Sequence, residues 1–409
     1  MAVYLLATLD TKGDEADFVR RELAARGVAV VLVDTGCLGV PRVRADVTRE
    51  EVFAAAGTTL DAVRAKGDRG EAVTLAAKGA SELVRAAFER NELDGVLGLG
   101  GGAGTTIGTA AMRALPIGVP KFMVSTLASG ETSHYVGTKD VCMLHAVADI
   151  AGLNRISRAV LSRAAQAMAG MALAGPLRAN ASDKPLVAAS MFGVTTPCVE
   201  RARAVLEAAG YEVLVFHATG SGGRTLEALA ESGLLDGVLD VTTTELADEL
   251  VGGVLSAGPD RVTAAGKRGV PQVVSVGALD MVNFHARATV PAKFEGRRFY
   301  AHNANVTLMR TTPAENRELG RVLGAKLAAA RGSVELFFPL RGVSAIDREG
   351  QPFDDSAARA ELLAGLRETC GGVPLHALDL HVNDAAFAEA MATKLLEWMR
   401  ARGGRVRTS

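Results

Sequence analysis

The feature that most constrains this chain is an alternation, kept up through both halves. Short runs rich in Val, Leu and Ile are followed by longer Ala, Leu, Glu and Arg segments of helical period. Strands that are apolar throughout are covered on both faces, and intervening helices supply the cover, so the pattern predicts α/β domains with doubly wound, mainly parallel sheets. Strands are predicted at residues 3–9, 28–33, 95–99 and 121–124, then at 186–191, 212–216, 237–241, 272–276, 334–338 and 375–380. An Ala-rich stretch over 141–173 closes the first half. The polar, Pro-bearing segment 175–185 reads as a linker, which places the domain boundary near Ser182, with one domain over 1–182 and a second over 183–409. A length of 409 residues fits two large domains at roughly 150 or more residues each.

Charge and composition exclude several classes. The 45 basic and 46 acidic side chains leave a net charge of −1, which offers no field to draw in a nucleic-acid backbone or an anionic membrane surface. Neither nucleic acid nor membrane is an expected partner. The first apolar run is stopped by Asp10 and Lys12, too early for a signal sequence or a membrane span, so a cytoplasmic location is expected. Cys37, Cys142, Cys198 and Cys370 are widely spaced without a C-x-x-C pair and read as reduced, mostly buried thiols.

Candidate chemistry gathers beyond the strand ends. Thr11 and Asp14 have the spacing of a capping box, while Lys12 is placed to meet an anion and Asp10 to hold a metal ion. The clearest signal is the run Gly98 to Thr106, between a strand and a helix. Gly100, Gly101, Gly102 and Gly104 would let the backbone approach a phosphate, and Thr105 and Thr106 would add hydroxyl donors. The alternative is close helix-to-strand packing. The run fits G-x-G-x-x-G/A in part, but no acidic residue follows about twenty residues on, which weakens a dinucleotide reading, and no P-loop pattern is present. A polar loop after the next strand, with Thr126, Ser129, Gly130, Glu131, His134, Lys139 and Asp140, reads as the facing wall. There Glu131 or Asp140 is a magnesium candidate and Lys139 a phosphate neutraliser. Asp34, Thr35 and Gly36 form a ribose candidate or an ordinary turn.

These segments, with the later 277–284 and 301–312, resemble the ATP-binding family named for the tomato mosaic virus resistance protein. The resemblance implies two Rossmann-like domains, ATP with magnesium in the first, and a homodimer. By motif position it makes Asp10, Lys12 and the loops around Gly100 to Thr106 and Thr126 to Lys139 the nucleotide-facing residues. This sequence ends at Ser409, and the plant member's antiviral role is not expected of it.

In the second half, residues 278–312 lose all periodicity while His, Asn, Arg and aromatic residues accumulate, as in functional loops. His285, His302, Arg310 and His381 are the catalytic candidates, as general acids or bases, metal ligands or an anion clamp. The run His217 to Arg224 reads as a second anion cradle with Arg224 as its clamp, and Cys198 lies near another helix start, where a small buried residue is the commoner outcome. The leading expectation is an enzyme using Mg-ATP for ligation or phosphoryl transfer to a small anionic substrate. A hydrolase or lyase run by the histidines, and a nucleotide-responsive protein-binding module, are the alternatives.

Overall fold

The structure is a computed structural model and describes residues 1–175 and 184–403. The predicted linker at 175–185, with Ser182, falls almost wholly outside the described residues. The chain divides into two compact units, Met1–Ala179 and Asn180–Ser409. Both are α/β units built on parallel sheets, the predicted fold class. No helix among the described residues is long and apolar enough to cross a membrane.

The first unit runs β1 (Ala2–Ala7), α1 (Leu9–Ala24), β2 (Val30–Asp34), α2 (Arg49–Ala55), α3 (Leu60–Lys66), α4 (Arg69–Glu89), β3 (Leu93–Gly100), α5 (Gly102–Arg113), β4 (Lys121–Ser125), α6 (Ser133–Val136), β5 (Cys142–His145) and α7 (Arg155–Ala174). The sheet order is β2-β1-β3-β4-β5, every pair parallel. Side chains alternate along β1: Tyr4 and Leu6 join the core under α2, α4 and α5, whereas Val3, Leu5 and Ala7 join that under α1 and α7. The Ala-rich stretch over 141–173 holds two elements, β5 at its start and α7 from Arg155 on; this edge strand is only partly buried and carries a weak apolar signal.

The chain leaves β1 toward β2 and then crosses back to place β3 on the other side of β1. This reversal opens a crevice beyond the carboxyl ends of β1 and β3, the usual place for a ligand in such sheets.

The second unit runs β6 (Leu186–Met191), α8 (Thr196–Ala208), β7 (Glu212–His217), α9 (Ser221–Glu231), β8 (Gly237–Thr242), α10 (Glu245–Val251), α11 (Ala264–Arg268), β9 (Gln272–Gly277), β10 (Met281–Phe284), β11 (Phe299–Asn303), β12 (Val306–Arg310), α12 (Pro313–Ala328), β13 (Val334–Pro339), α13 (Ser356–Thr369), β14 (Leu375–Leu378) and α14 (Ala385–Gly403). Its parallel sheet has the order β14-β13-β9-β8-β6-β7, so β7 and β8 flank β6 as β2 and β3 flank β1. The expectation of an irregular segment over 278–312 is corrected: β10, β12 and β11 form an antiparallel sheet there. Its strands are four or five residues long, and β10 is buried along its whole length, so neither length nor alternation betrayed it.

Candidate functional site

Three loops of the first unit meet at the crevice between β1 and β3. They enclose a cavity of about 260 Å³ lined by Asp10 and Lys12 after β1, Thr35 to Leu38 after β2, Gly100 to Gly104 after β3, and Arg69 at the start of α4.

The glycines of the β3–α5 turn divide into two sets. A Cβ on Gly100 would stand 2.6 Å from the Gly104 Cα, and one on Gly104 would stand 2.9 Å from the Leu99 carbonyl oxygen. These two are required by close packing of α5 on β3. Gly101 and Gly102 have room, the nearest atoms being Thr126 Oγ1 at 3.5 Å and Leu127 Cδ1 at 4.0 Å. Helix α5 has no side-chain cap, and its first internal bond is from Thr105 N to Gly101 O. The amides of Gly102, Ala103 and Gly104 thus have no partner among the described residues, and they carry the positive end of the helix dipole.

Two cations, Lys12 and Arg69, line the same cavity as this helix start. The backbone at Lys12 departs from helical geometry (φ −124°, ψ 18°), so a single turn precedes the regular part of α1. The capping box expected from Thr11 and Asp14 does not form: Thr8 holds the N-cap position, Thr11 Oγ1 lies 2.8 Å from Thr8 Oγ1, and Asp14 pairs with Arg42 at 3.3 Å. Neither Lys12 nor Arg69 has an acidic partner among the described residues. Arg69 escaped the sequence reading because it lies far along the chain. Its signal was a cation in the first turn of a helix, where the dipole disfavours it.

Other predicted residues of this half have different duties. Asp10 Oδ2 accepts from the amides of Leu38 (3.3 Å) and Gly39 (3.0 Å). The ribose candidate Asp34 is consumed internally, since it accepts from Leu9 N, Gly36 N and the buried Arg49 Nε at 2.7 Å. Thr105 is fully buried and bonds Ser125 Oγ at 2.6 Å, while Thr106 donates back to Gly102 O, so neither hydroxyl is offered to the cavity. Thr126, Ser129, Gly130, Glu131 and Lys139 do not line this cavity. Glu131 instead accepts from Ser133 N at 2.8 Å, and its hydrogen bonds with Ser133 hold its carboxyl below the usual range. Asp140 takes the ammonium of the buried Lys121 at 2.7 Å; burial pulls Lys121 below its ordinary pKa, and Asp140 opposes the shift.

The second unit also carries a glycine-rich helix start, and there the anion is internal. Glu245 Oε1 accepts from the amides of Gly220 (2.7 Å) and Gly223 (3.0 Å), while Glu245 Oε2 takes Arg261 Nε at 2.6 Å. Arg261 is fully buried, fork-bonded to Asp240 at 2.5 and 2.7 Å and paired with Glu227 at 3.2 Å. Burial works against its charge, but the three carboxylates outweigh that and raise its pKa. Arg224, the expected clamp, donates to Ser256 O. Cys198 is wholly buried, which pushes its thiol up to about 12 and removes it as a nucleophile.

The catalytic candidates of this unit do not assemble into a metal site. Among the described residues no group of three His, Cys, Asp or Glu side chains is placed to hold a metal ion. His285 and His302 are exposed. His381 is buried, with Nε2 donating to Ser344 O (2.8 Å) and Nδ1 accepting from Asn383 N (3.1 Å). Arg310 is buried and spends its donors on Phe353 O, Asp280 O, Thr311 and Asp347. It braces the β12 end and offers no clamp to a substrate. Beside it Asp280 is raised in pKa by burial and by the neighbouring Asp347 charge.

Comparison with known proteins places both units. The model of the Uncharacterised protein family (UPF0261) N-terminal domain matches residues 1–176, and that of its C-terminal domain matches 184–399. A UPF0261 protein of Clostridium tetani is 47% identical over 97% of this chain and 98% of its own length. One of Mesorhizobium japonicum is 48% identical over 96% of this chain and 98% of its own. The ToMV resistance protein Tm-1(GCR237) of Solanum lycopersicum is 44% identical over 80% of this chain, a match that spans 45% of that protein. The resemblance read from the motifs holds as kinship.

Proposed function

This chain belongs to the uncharacterised protein family UPF0261, and we propose that its first unit binds ATP, with magnesium carried on the phosphates, beyond the ends of β1 and β3. One observation carries the reading: the free amides of Gly102, Ala103 and Gly104 share a cavity with Lys12 and Arg69, which have no acidic partner among the described residues. A phosphate chain supplies the negative charge that the free amides and these two cations leave unmatched, the carboxylate Asp10 being engaged with the amides of Leu38 and Gly39. A volume of about 260 Å³ suits the phosphates, with the nucleoside projecting past Leu38.

The residues do not build a metal cage. Of the candidate ligands Asp10, Glu131 and Asp140 only Asp10 lines the cavity, and one of its oxygens is already taken by two amides. Magnesium commonly binds through substrate phosphates, waters and few protein oxygens, so the ion belongs to the nucleotide in this proposal. The use of ATP is ligation or phosphoryl transfer to a small anionic substrate, with Lys12 and the α5 amides holding the charge of the phosphates. The proposal includes a cytoplasmic homodimer, which sedimentation equilibrium would register as twice the chain mass.

Thermal unfolding with Mg-ATP, ADP, NAD, magnesium alone and no ligand tests the binding step. A ligand at 100 times its dissociation constant adds about 2.7 kcal/mol, a shift on the order of 5 °C. The expected result is a shift with ATP and ADP and none with magnesium alone; no shift with either nucleotide removes the proposal. Release of ADP or AMP on adding one class among carboxylates, amines and alcohols is the expected sign of turnover.

A further inference from the structure

We propose that Asp10 is a positioning residue: it fastens a strap, residues 36–40, along the wall of the cavity and sets the affinity of the site without holding a cation. The inference rests on the nucleotide reading only for its effect on affinity. The fastening itself stands on geometry in the ligand-free chain.

The strap follows β2 and crosses the first turn of α1. Among the described residues, every hydrogen bond that holds its middle, residues 37–39, involves a charged side chain. Asp10 takes the amides of Leu38 and Gly39. Arg49 Nη1 donates to Gly39 O at 2.6 Å, and Arg64 donates to Cys37 O at 2.7 Å and Leu38 O at 3.2 Å. Arg49 is itself locked by Asp34, both being buried.

Burial reaches only the start of the strap, where Gly36 is buried and Cys37 packs against the core; beyond it Leu38 is 74% and Val40 85% exposed. Polar fastenings hold that part, and glycine makes them reachable: a Cβ on Gly36 would stand 2.9 Å from Asp10 Oδ1, and one on Gly39 3.2 Å from Asp10 Cβ. Cys37 and Leu38 line the cavity, so the position of the strap is the position of a wall. At its root Thr35 also lines the cavity. It is 2% exposed, and its Oγ1 is buried without a partner among the described residues.

Amide hydrogen exchange on the full chain, followed by ATP titration with and without magnesium, separates this role from cation binding. Asp10→Ala is expected to speed exchange of the Leu38 and Gly39 amides by roughly tenfold before any ligand is added. Asp10→Asn keeps an oxygen acceptor on the same stem but loses the charge a cation needs, and is expected to stay within about threefold of the parent. Arg64→Ala, an exposed change, is expected to loosen the same strap and serves if Asp10→Ala does not fold. ATP affinity of Asp10→Ala should fall by one factor whether or not magnesium is present. Unchanged exchange in Asp10→Ala, or in Arg64→Ala if that variant must serve, overturns the proposal. So does an equal loss in Asp10→Ala and Asp10→Asn that appears only with magnesium. If the parent binds no ATP, the nucleotide reading fails, and the exchange rates still decide the fastening.

Discussion

The two glycine-rich helix starts, at α5 and at α9, share their sequence character and their place at the carboxyl edge of a parallel sheet, yet one is open and the other filled. At α9 the chain inserts its own carboxylate, Glu245, from 25 residues away, and then neutralises it with Arg261. At α5 the amides are bare, and the charges lining the same cavity are the cations Lys12 and Arg69 and the carboxylate Asp10, which is tied to the amides of Leu38 and Gly39. Glycine specifies a backbone geometry that suits an anion. Whether the anion is a ligand or a side chain is settled by a residue elsewhere, which no local motif contains.

The strongest way to break the comparison is to empty the filled cradle. Arg261→Met leaves Asp240, Glu245 and Glu227 without their common countercharge, and a broken buried pair typically costs 3–5 kcal/mol, about what a whole domain can lose. Urea unfolding should show collapse of the second unit's transition; a loss below about 1 kcal/mol would mean that the network is not holding the cradle.

Next in size is a pH effect peculiar to the second unit. Burial pushes Asp248 up to about 7, against hydrogen bonds from Asn283 and Leu255 that pull the other way. The unfolded carboxyl titrates near 4. Between these values the folded state holds a proton that the unfolded state has released, so stability falls as pH rises from about 4 to about 7, by up to a few kcal/mol. Asp248→Asn should lessen that slope in a pH series of unfolding curves, leaving the share of Asp280, whose carboxyl burial also raises. The variant is accommodated because Asn283 Oδ1 is buried without a partner, ready to accept once its amide turns over. A slope left unchanged in the variant would assign it wholly to other groups.

The open cradle is sharpened by Lys12→Ala. Loss of a charge-assisted contact predicts ATP binding weaker by roughly ten- to a hundredfold, with ligand-free melting unchanged. Equal affinity would move the phosphates elsewhere. The smallest effect is the most pointed contrast. A Cβ on Gly102 meets only Leu127 Cδ1 at 4.0 Å, whereas one on Gly223 would lie 2.0 Å from Glu245 Oε2. Gly102→Ala should therefore stabilise α5 slightly, by up to about 1 kcal/mol, and Gly223→Ala should destabilise. Melting temperatures that moved together would erase the distinction between the two sites.

Much of the architecture was legible because parallel strands are apolar without interruption: β6 was read with its observed bounds, and β4, β7, β8, β9 and β13 each run one residue longer than predicted. The small antiparallel sheet was hidden by its short strands. For the candidate site, Lys12 and the glycines were found from local sequence, since a strand, a glycine turn and a helix are contiguous. Arg69 and the strap were not, being joined to the site only through folding. Arg310, in the aperiodic stretch, and His381, near an expected strand end, looked catalytic because polar groups at such places can serve chemistry or brace a core, and sequence does not report burial.

The β11–β12 hairpin has a kinetic consequence. In the parallel sheets every strand pair waits for a crossover of many residues, but β11 and β12 are joined by Ala304 and Asn305 alone, with Asn303 opposite Val306. Short loops close in microseconds or less, while distant pairings form slowly. The hairpin that escaped notice in the sequence is thus a β-pairing of its unit that a two-residue loop can close, without waiting for a crossover to be ordered.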